Sequence, residues 1–246
     1  MARYKDGALG SFSGKVGNIV GSYWKGRFVM RAAPNVSHVV PSPARLLQQQ
    51  KFATMSKYLN PLKSVINIGF AHDAELRKIT PRNVAMSVNM ADAMNWNGSA
   101  WEVAYDDVQL SRGQFLGVEN LYVGTQGRDM RVSWQNSSSS LAGLTGSGKE
   151  IWTSQLDKVC VVIYNIVVGE ALFFYVQRDD GAVVQEAPTN WQSSQNIQAY
   201  VVAVPEIIAQ YETDPSNMTE EDIQLVSEMY SDGFGVSNTV SGNTVL

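Results

Sequence analysis

Histidine and cysteine are nearly missing from this chain of 246 residues, which has only His38, His72 and Cys160. A single cysteine excludes an intrachain disulfide framework and fits a reducing compartment, or simply an absence of any need for thiols. Cys160 lies in the apolar run Val159–Ile163. There a thiol behaves as a small hydrophobe, and no histidine is placed to activate it. His72-Asp73-Ala74-Glu75 lacks the ligand spacing of a metal helix and reads as a solvated turn. Long apolar runs are missing too. VCVVIYNIVV is far too short to span a bilayer, and the opening MARYKDGALG has no apolar core of the kind a signal peptide needs, so neither a membrane span nor standard export is expected.

Charge of one sign is missing from each end. Up to Lys63 there are ten Lys or Arg residues against one acid, Asp6; beyond Arg178 there is no Lys or Arg, while eleven acids run from Asp179 to Asp232. The net charge of −4 conceals this asymmetry. The plain reading is two solvated faces of opposite sign. The sharper one is a basic end that meets something acidic, either nucleic acid or the acidic end of a neighbouring copy. Contact between unlike surfaces of successive copies builds rings or filaments.

Catalytic patterns are sparse as well. Gly143-Leu144-Thr145-Gly146-Ser147-Gly148-Lys149-Glu150 approaches a phosphate-binding loop but places Glu150 where Ser or Thr should ligate magnesium. A carboxylate there repels phosphate, and a serine run precedes the loop in place of a strand. Asp106-Asp107 and Asp179-Asp180 fall at strand ends, where adjacent carboxylates point apart and favour turns. The expectation is no enzyme and no catalytic, cofactor or metal site.

What is present is an unusual N-terminal arm, Gly7 to Arg31. Gly7, Gly10, Gly14, Gly17 and Gly21 alternate spacings of three and four. Each glycine costs a helix interior roughly 0.8–1 kcal/mol, so five cost about 4–5 kcal/mol and a helix is excluded. From Tyr23 the period is two, with Trp24, Gly26, Phe28 and Met30 on one face and Tyr23, Lys25, Arg27, Val29 and Arg31 on the other. A strand with a basic outer face follows, paired with Lys15–Val20 through a turn near Gly21-Ser22. Its apolar face needs cover from this chain's own core or from a neighbour.

Ala33–Pro43 holds three prolines and reads as an extended linker. Ser42 and Pro43 predict the cap and first residue of a helix to about Leu59, with Leu47, Phe52, Met55 and Leu59 as its apolar stripe. Leu62–Phe70 is a short helix or an extended segment. Thr80-Pro81 repeats the cap for a helix from Arg82 to Asn95, whose Met86, Met90 and Met94 read as core. Seven strands are then predicted: Val103–Leu110, Leu121–Gly124, Met130–Gln135, Val159–Val168, Ala171–Gln177, Val183–Ala187 and Ile197–Val204. Ser137–Gly148 is expected as a loose loop. Thr219 caps an acidic helix, Glu220–Tyr230, whose Ile223, Val226 and Met229 or Tyr230 dock on the sheet. The tail from Gly233 is a last strand or a segment that orders on a neighbour.

The fold class is therefore mainly β with helices (α+β). A basic glycine-rich β-hairpin arm and linker (1–42) precede a short helical region (43–98). An immunoglobulin- or fibronectin-like antiparallel β-sandwich (99–205) follows, and then an acidic helix with an extended tail (206–246).

The motif Gly10-Ser11-Phe12-Ser13-Gly14-Lys15-Val16-Gly17, with Gly21, Trp24-Lys25-Gly26 and Val29-Met30-Arg31, resembles a domain-of-unknown-function family of Bacteroidota (family 6266), which has relatives in tailed phages of that phylum. Gln49/Gln50-Lys51-Phe52, Ile68-Gly69-Phe70, Ile79-Thr80-Pro81, Asn83-Val84-Ala85, Leu110-Ser111-Arg112-Gly113, Val132-Ser133-Trp134 and Val162-Ile163-Tyr164-Asn165 extend the resemblance to about Val204. It implies an arm plus a β-sandwich and no enzymatic activity. Ser137–Gly148 and Glu206–Gly233 look added to the family pattern.

With the arm, the resemblance leads to a non-enzymatic virion structural protein, a ring, connector, tail or capsid-associated subunit, assembled in the host cytoplasm. The expected assembly interface is Tyr23, Trp24, Lys25, Arg27, Phe28, Met30 and Arg31, with Glu220, Glu221, Asp222 and Glu228 as the acidic partner surface. Copies of itself, in a homo-oligomer, and neighbouring virion proteins are the expected partners, with no membrane. The alternatives are an Ig-like adhesion module of a Bacteroidota cell and a nucleic-acid-binding protein using the basic arm.

Overall fold

Gly17 takes φ +56°, and with Asn18 it closes the two-residue turn on which the N-terminal sheet is built. A glycine at the first central position of such a turn matches the twist of the strands it joins. The computed structural model describes residues 3–4, 12–24, 27–34, 40–136, 141–144, 148–154, 157–213, 218–233 and 236–246. The chain divides into two units, residues 1–46 and 47–246.

The first unit is an antiparallel sheet of β1 (Arg3–Tyr4), β2 (Phe12–Val16), β3 (Ile19–Trp24) and β4 (Arg27–Ala32), in that order. The turn expected near Gly21-Ser22 lies instead at Gly17-Asn18. Gly21 serves a different constraint: a Cβ there would strike the Phe12 carbonyl and stand 2.8 Å from the Phe12 ring. The strand expected to continue from Tyr23 ends at Trp24 and returns as β4, so the N-terminal sheet has four strands where a hairpin has two. After the linker, α1 (Pro43–Leu59) starts where its cap predicts, the Arg45 amide donating to Ser42 Oγ at 3.3 Å.

The second unit opens with the rest of α1, then α2 (Lys63–Gly69), α3 (Ala71–Leu76) and α4 (Pro81–Asp92). His72-Asp73-Ala74-Glu75 is thus helical, not a turn; buried Ala74 and the Arg77–Asp73 pair at 3.6 Å hold α3 in place. Thr80 caps α4 as predicted, its Oγ1 accepting from the Asn83 amide. The helix stops at Asp92 rather than Asn95. Met94–Trp96 becomes β5, paired with β6 (Trp101–Val103), and the tilted Trp96 and Trp101 rings, their centroids 5.4 Å apart, favour the hairpin. Met86 and Met94 are buried and Met90 packs against the core, as expected of the methionine stripe. Of the α1 stripe, Met55 and Leu59 are buried while Leu47 and Phe52 are exposed.

The β body contains β7 (Val118–Gln126), β8 (Asp129–Asn136), β9 (Leu141–Leu144), β10 (Glu150–Trp152), β11 (Lys158–Asn165), β12 (Glu170–Gln177), β13 (Ala182–Glu186) and β14 (Asn196–Val204). Helices α5 (Glu206–Thr213) and α6 (Glu220–Ser231) follow, and β15 (Val240–Val245) closes the chain. Six of the seven predicted strands form. Val103–Leu110 does not: Asp106-Asp107 turns it into a 3-10 segment, Tyr105–Asp107. Within the segment expected as a loose loop, β9 forms and pairs with β10 just beyond it; residues 137–140 and 145–147 lie outside the described residues. The tail takes the last-strand alternative, β15 pairing with β14.

The two larger antiparallel sheets are β12-β11-β14-β15 and β13-β8-β7, so the fold is mixed α+β. β11 and β14 are buried on both faces. Gly242 in β15, opposite Ala199, leaves room for Val123 and Leu121 of β7, which places the smaller sheet on that side. On the other side, Tyr58 of α1 bonds through its hydroxyl to Tyr200 and meets the Tyr164 ring edge-on at 4.9 Å. A helical layer thus covers the second face, which explains why these strands read as continuous apolar runs.

One charged hub lies inside this body. Arg178 donates to the carbonyls of Leu116 at 2.9 Å and Gly117 at 2.5 Å, and its guanidinium stands 3.9 Å from the Asp157 carboxylate. Asp157 accepts from the Ser154 and Glu206 amides at 2.8 and 2.9 Å. Burial, the largest influence, raises the Asp157 pKa and lowers that of Arg178. Removing the cation would leave a buried carboxylate and two unpaired carbonyls. Arg178→Ala is expected to lower the unfolding free energy by about 3–5 kcal/mol, read by urea denaturation.

Candidate assembly surface

The register of the N-terminal sheet sorts its side chains onto two unlike faces. Val16 lies opposite Ile19, which lies opposite Ala32. Gly14 faces Gly21, which faces Met30, and Tyr23 faces Phe28, the two rings 4.8 Å apart. Phe12 joins this set by alternation, its ring lying across Gly21. None of these paired residues is charged. The reverse face carries Lys15, Val20 and Arg31 across one rung, Ser22 and Val29 across the next, and Trp24 opposite Arg27.

This sorting corrects the expected faces. Trp24 does not share a face with Phe28 and Met30; it stands with Arg27, Val29 and Arg31, while Tyr23 belongs with Phe28 and Met30. The register is the reason: Trp24 pairs with Arg27 and Tyr23 with Phe28, so odd positions of β3 share a face with even positions of β4. Lys25, expected in the interface, lies outside the described residues, as does Gly26. Val16 and Ile19 are further members of the apolar face, and their alternation about Gly17-Asn18 is the sequence signal for them.

Among the described residues, the apolar face is exposed. Tyr23 is 59%, Phe28 51% and Met30 69% exposed, and Val16 and Ile19 are also exposed. Single exposed apolar residues are common, but a contiguous set on one sheet face marks a surface built to be covered. On the reverse face Lys15, Arg27 and Arg31 form no ion pair among the described residues.

The acidic residues expected as partners gather on α6, with Glu220, Glu221 and Asp222 in its first turn. Glu220 and Glu221 are exposed. Asp222 is engaged locally, since Thr219 Oγ1 and the Thr219 amide donate to its carboxylate at 2.7 and 3.1 Å, while the Asp222 amide donates back to Thr219 Oγ1 at 3.2 Å. These bonds hold the Asp222 pKa below its ordinary value. Glu228, half-buried, accepts from Gln224 at 3.4 Å. Acids in a first turn also complement the helix dipole, so Glu220 and Glu221 are the pair most available to a cationic partner. Val226 and Met229 are buried, whereas Ile223 is exposed and the Tyr230 side chain lies outside the described residues.

The weaker chemical candidates resolve into structure. Lys149 leads into β10, so the loop that approaches a phosphate-binding pattern is followed by a strand where that motif needs a helix. Burial pushes the Cys160 thiol up to about 12, so little thiolate exists near neutral pH. Asp106 accepts from Gln198 and Asn243, each at 3.0 Å, and joins β14 and β15 to the 3-10 turn. Asp180 accepts the Gln177 amide at 2.9 Å and caps its own turn. Among the described residues, no group of three or more His, Cys, Asp or Glu side chains could hold a metal ion.

A helix-flanked antiparallel body preceded by a small separate sheet defines the class of protein. The model of DUF6266, a family of unknown function, matches residues 11–210, and the chain belongs to that family. The match begins just before β2 and ends within α5, leaving α6 and β15 outside it. A search of curated proteins finds no match.

Gly21 is the position that keeps the apolar face intact, since a methyl group there meets the Phe12 main chain. Gly21→Ala is expected to speed tryptic cleavage at Lys15, Arg27 and Arg31 while leaving the urea midpoint of the remaining chain unchanged. Slower or unaltered cleavage would show that β2 and β3 accommodate the methyl group.

Proposed function

We propose that this protein is a non-enzymatic structural subunit that assembles through its N-terminal sheet, in a tailed phage or phage-like particle. The observation that carries the reading is the uncovered, charge-free face bearing Tyr23, Phe28 and Met30 in a unit distinct from the body. Covering three side chains of this size contributes on the order of 5–8 kcal/mol before the cost of ordering is subtracted. The phage assignment, in a ring, connector, tail or capsid-associated position, draws on the resemblance of the Gly10–Arg31 signature to a Bacteroidota family with phage relatives. Deleting residues 1–31 is expected to leave a folded body that no longer assembles, measured by sedimentation velocity and by native mass with the products of adjacent genes. Rings or particles formed without the arm would overturn the proposal.

A second reading has its own observation. Trp24 shares the reverse face with Lys15, Arg27 and Arg31, and aromatic rings beside cations suit single-stranded nucleic acid. If that face grips a phosphate backbone, binding to an oligonucleotide weakens steeply between low and moderate salt and is lost in a Lys15→Glu/Arg31→Glu protein. Binding that is absent at low salt excludes it.

A further inference from the structure

We infer that the apolar face of the N-terminal sheet packs against the same face of a second copy of this chain, two sheets stacked face to face about a twofold axis. This rests on the assembly reading above and names the partner. Three features support it. The paired residues of the face bear no charge, so like meets like without electrostatic cost, and they offer no cation or anion by which a foreign charged surface could be selected. The reverse face bears Lys15, Arg27 and Arg31 and repels its own copy, which fixes which side faces inward. The glycine rung, Gly14 opposite Gly21, lets the Phe12 ring lie down across it, and a flattened face suits aligned sheet-on-sheet packing about 10 Å apart.

Size agrees with a second copy. Val16, Ile19, Tyr23, Phe28 and Met30 are between 40% and 69% exposed, which together amounts to roughly 500 Å² per copy, at the upper end of what a monomer commonly shows. Two such faces together bury on the order of 1,000 Å², about the lower limit for a specific interface. The pair is therefore a modest dimer that further contacts in an assembly reinforce. An isologous contact of this kind is the commonest form of homo-oligomer symmetry.

Cysteine cross-linking tests the pairing cleanly, because Cys160 is the sole native thiol and is buried. Full-length proteins carrying Ile19→Cys, Tyr23→Cys or Met30→Cys on the apolar face, and Ser22→Cys or Val29→Cys on the reverse face, are treated at micromolar concentration with a short bismaleimide. Thiols of the apolar face are expected to form covalent dimers on the order of a hundredfold faster, since a held pair has a millimolar effective concentration. Met30→Glu, at the most exposed position of the face, is expected to reduce the dimer fraction at least several-fold in sedimentation without changing the urea midpoint. Equal rates on both faces, faster reaction on the reverse face, or linkage only to an added neighbouring protein would each overturn the self-pairing. A full-length chain that assembles without cross-linking through the apolar face removes this inference but leaves the assembly role intact. An arm-less chain that assembles removes the assembly role itself.

Discussion

A β-sheet has two faces, and each must find cover wherever its side chains are apolar. That constraint organises the body of this protein. β11 and β14 are buried on both sides, with the smaller sheet on one and the helical layer on the other. Tyr58 marks how the helical cover is fixed: its hydroxyl meets that of Tyr200, which donates onward to the Tyr105 carbonyl at 2.9 Å. Burial raises the pKa values of both phenols, so they stay neutral and keep their bonds without the cost of a buried charge. The same constraint applied to the N-terminal sheet gives the opposite outcome, because one of its faces is apolar and open. The contrast between a doubly covered sheet and an open one is the strongest functional signal in the chain.

The segments that complete the body depend on close main-chain approach. The strap Leu110–Phe115 is held by Thr239, whose hydroxyl accepts from the Leu110 and Ser111 amides at 2.9 and 2.8 Å. Gly113 has no room for a side chain beside the Val236 carbonyl, and Gly69 has none beside that of Leu110. Ser237 ties the same region to β14, its amide donating to the Ala203 carbonyl and its hydroxyl accepting from the Ala203 amide. These contacts bring residues near 110 and near 237 together, over a hundred positions apart in the chain. β15 therefore finishes the larger sheet as part of the chain's own fold.

Signals confined to a few residues were legible in the sequence. Ser42, Thr80 and Thr219 each mark a helix start, because capping needs one side chain and the amide three residues on. The strands with apolar runs were legible for the same reason. Features decided by distant partners were not. α3 has only six residues, and nothing local separates it from a turn. The end of α4 was hidden because Met94 continues the methionine period, whereas pairing of Trp96 with Trp101 draws the chain into a hairpin. The burial of Arg178 has no local signal, since the carbonyls it bonds come from residues 116 and 117. In the arm, the alternation was visible but not the second turn, so Tyr23 and Trp24 exchanged faces. The basic and apolar characters of the two faces survived that exchange, because Arg27, Arg31, Phe28 and Met30 all lie on one strand.

Symmetry links the arm to the charge asymmetry of the whole chain. If the apolar faces pair about a twofold axis, that contact closes on itself and uses up no charge. Both cationic faces then point outward, on opposite sides of the pair, and each can meet the exposed acids Glu220 and Glu221 of another copy. This second contact joins unlike surfaces, so it need not close, and successive copies can extend it into a ring or a filament. Its strength would come from rim charges, which speed encounter and weaken with salt more than they add to affinity. On that proposal, a closed apolar contact and an open electrostatic one together would give a modest dimer that grows when copies become concentrated.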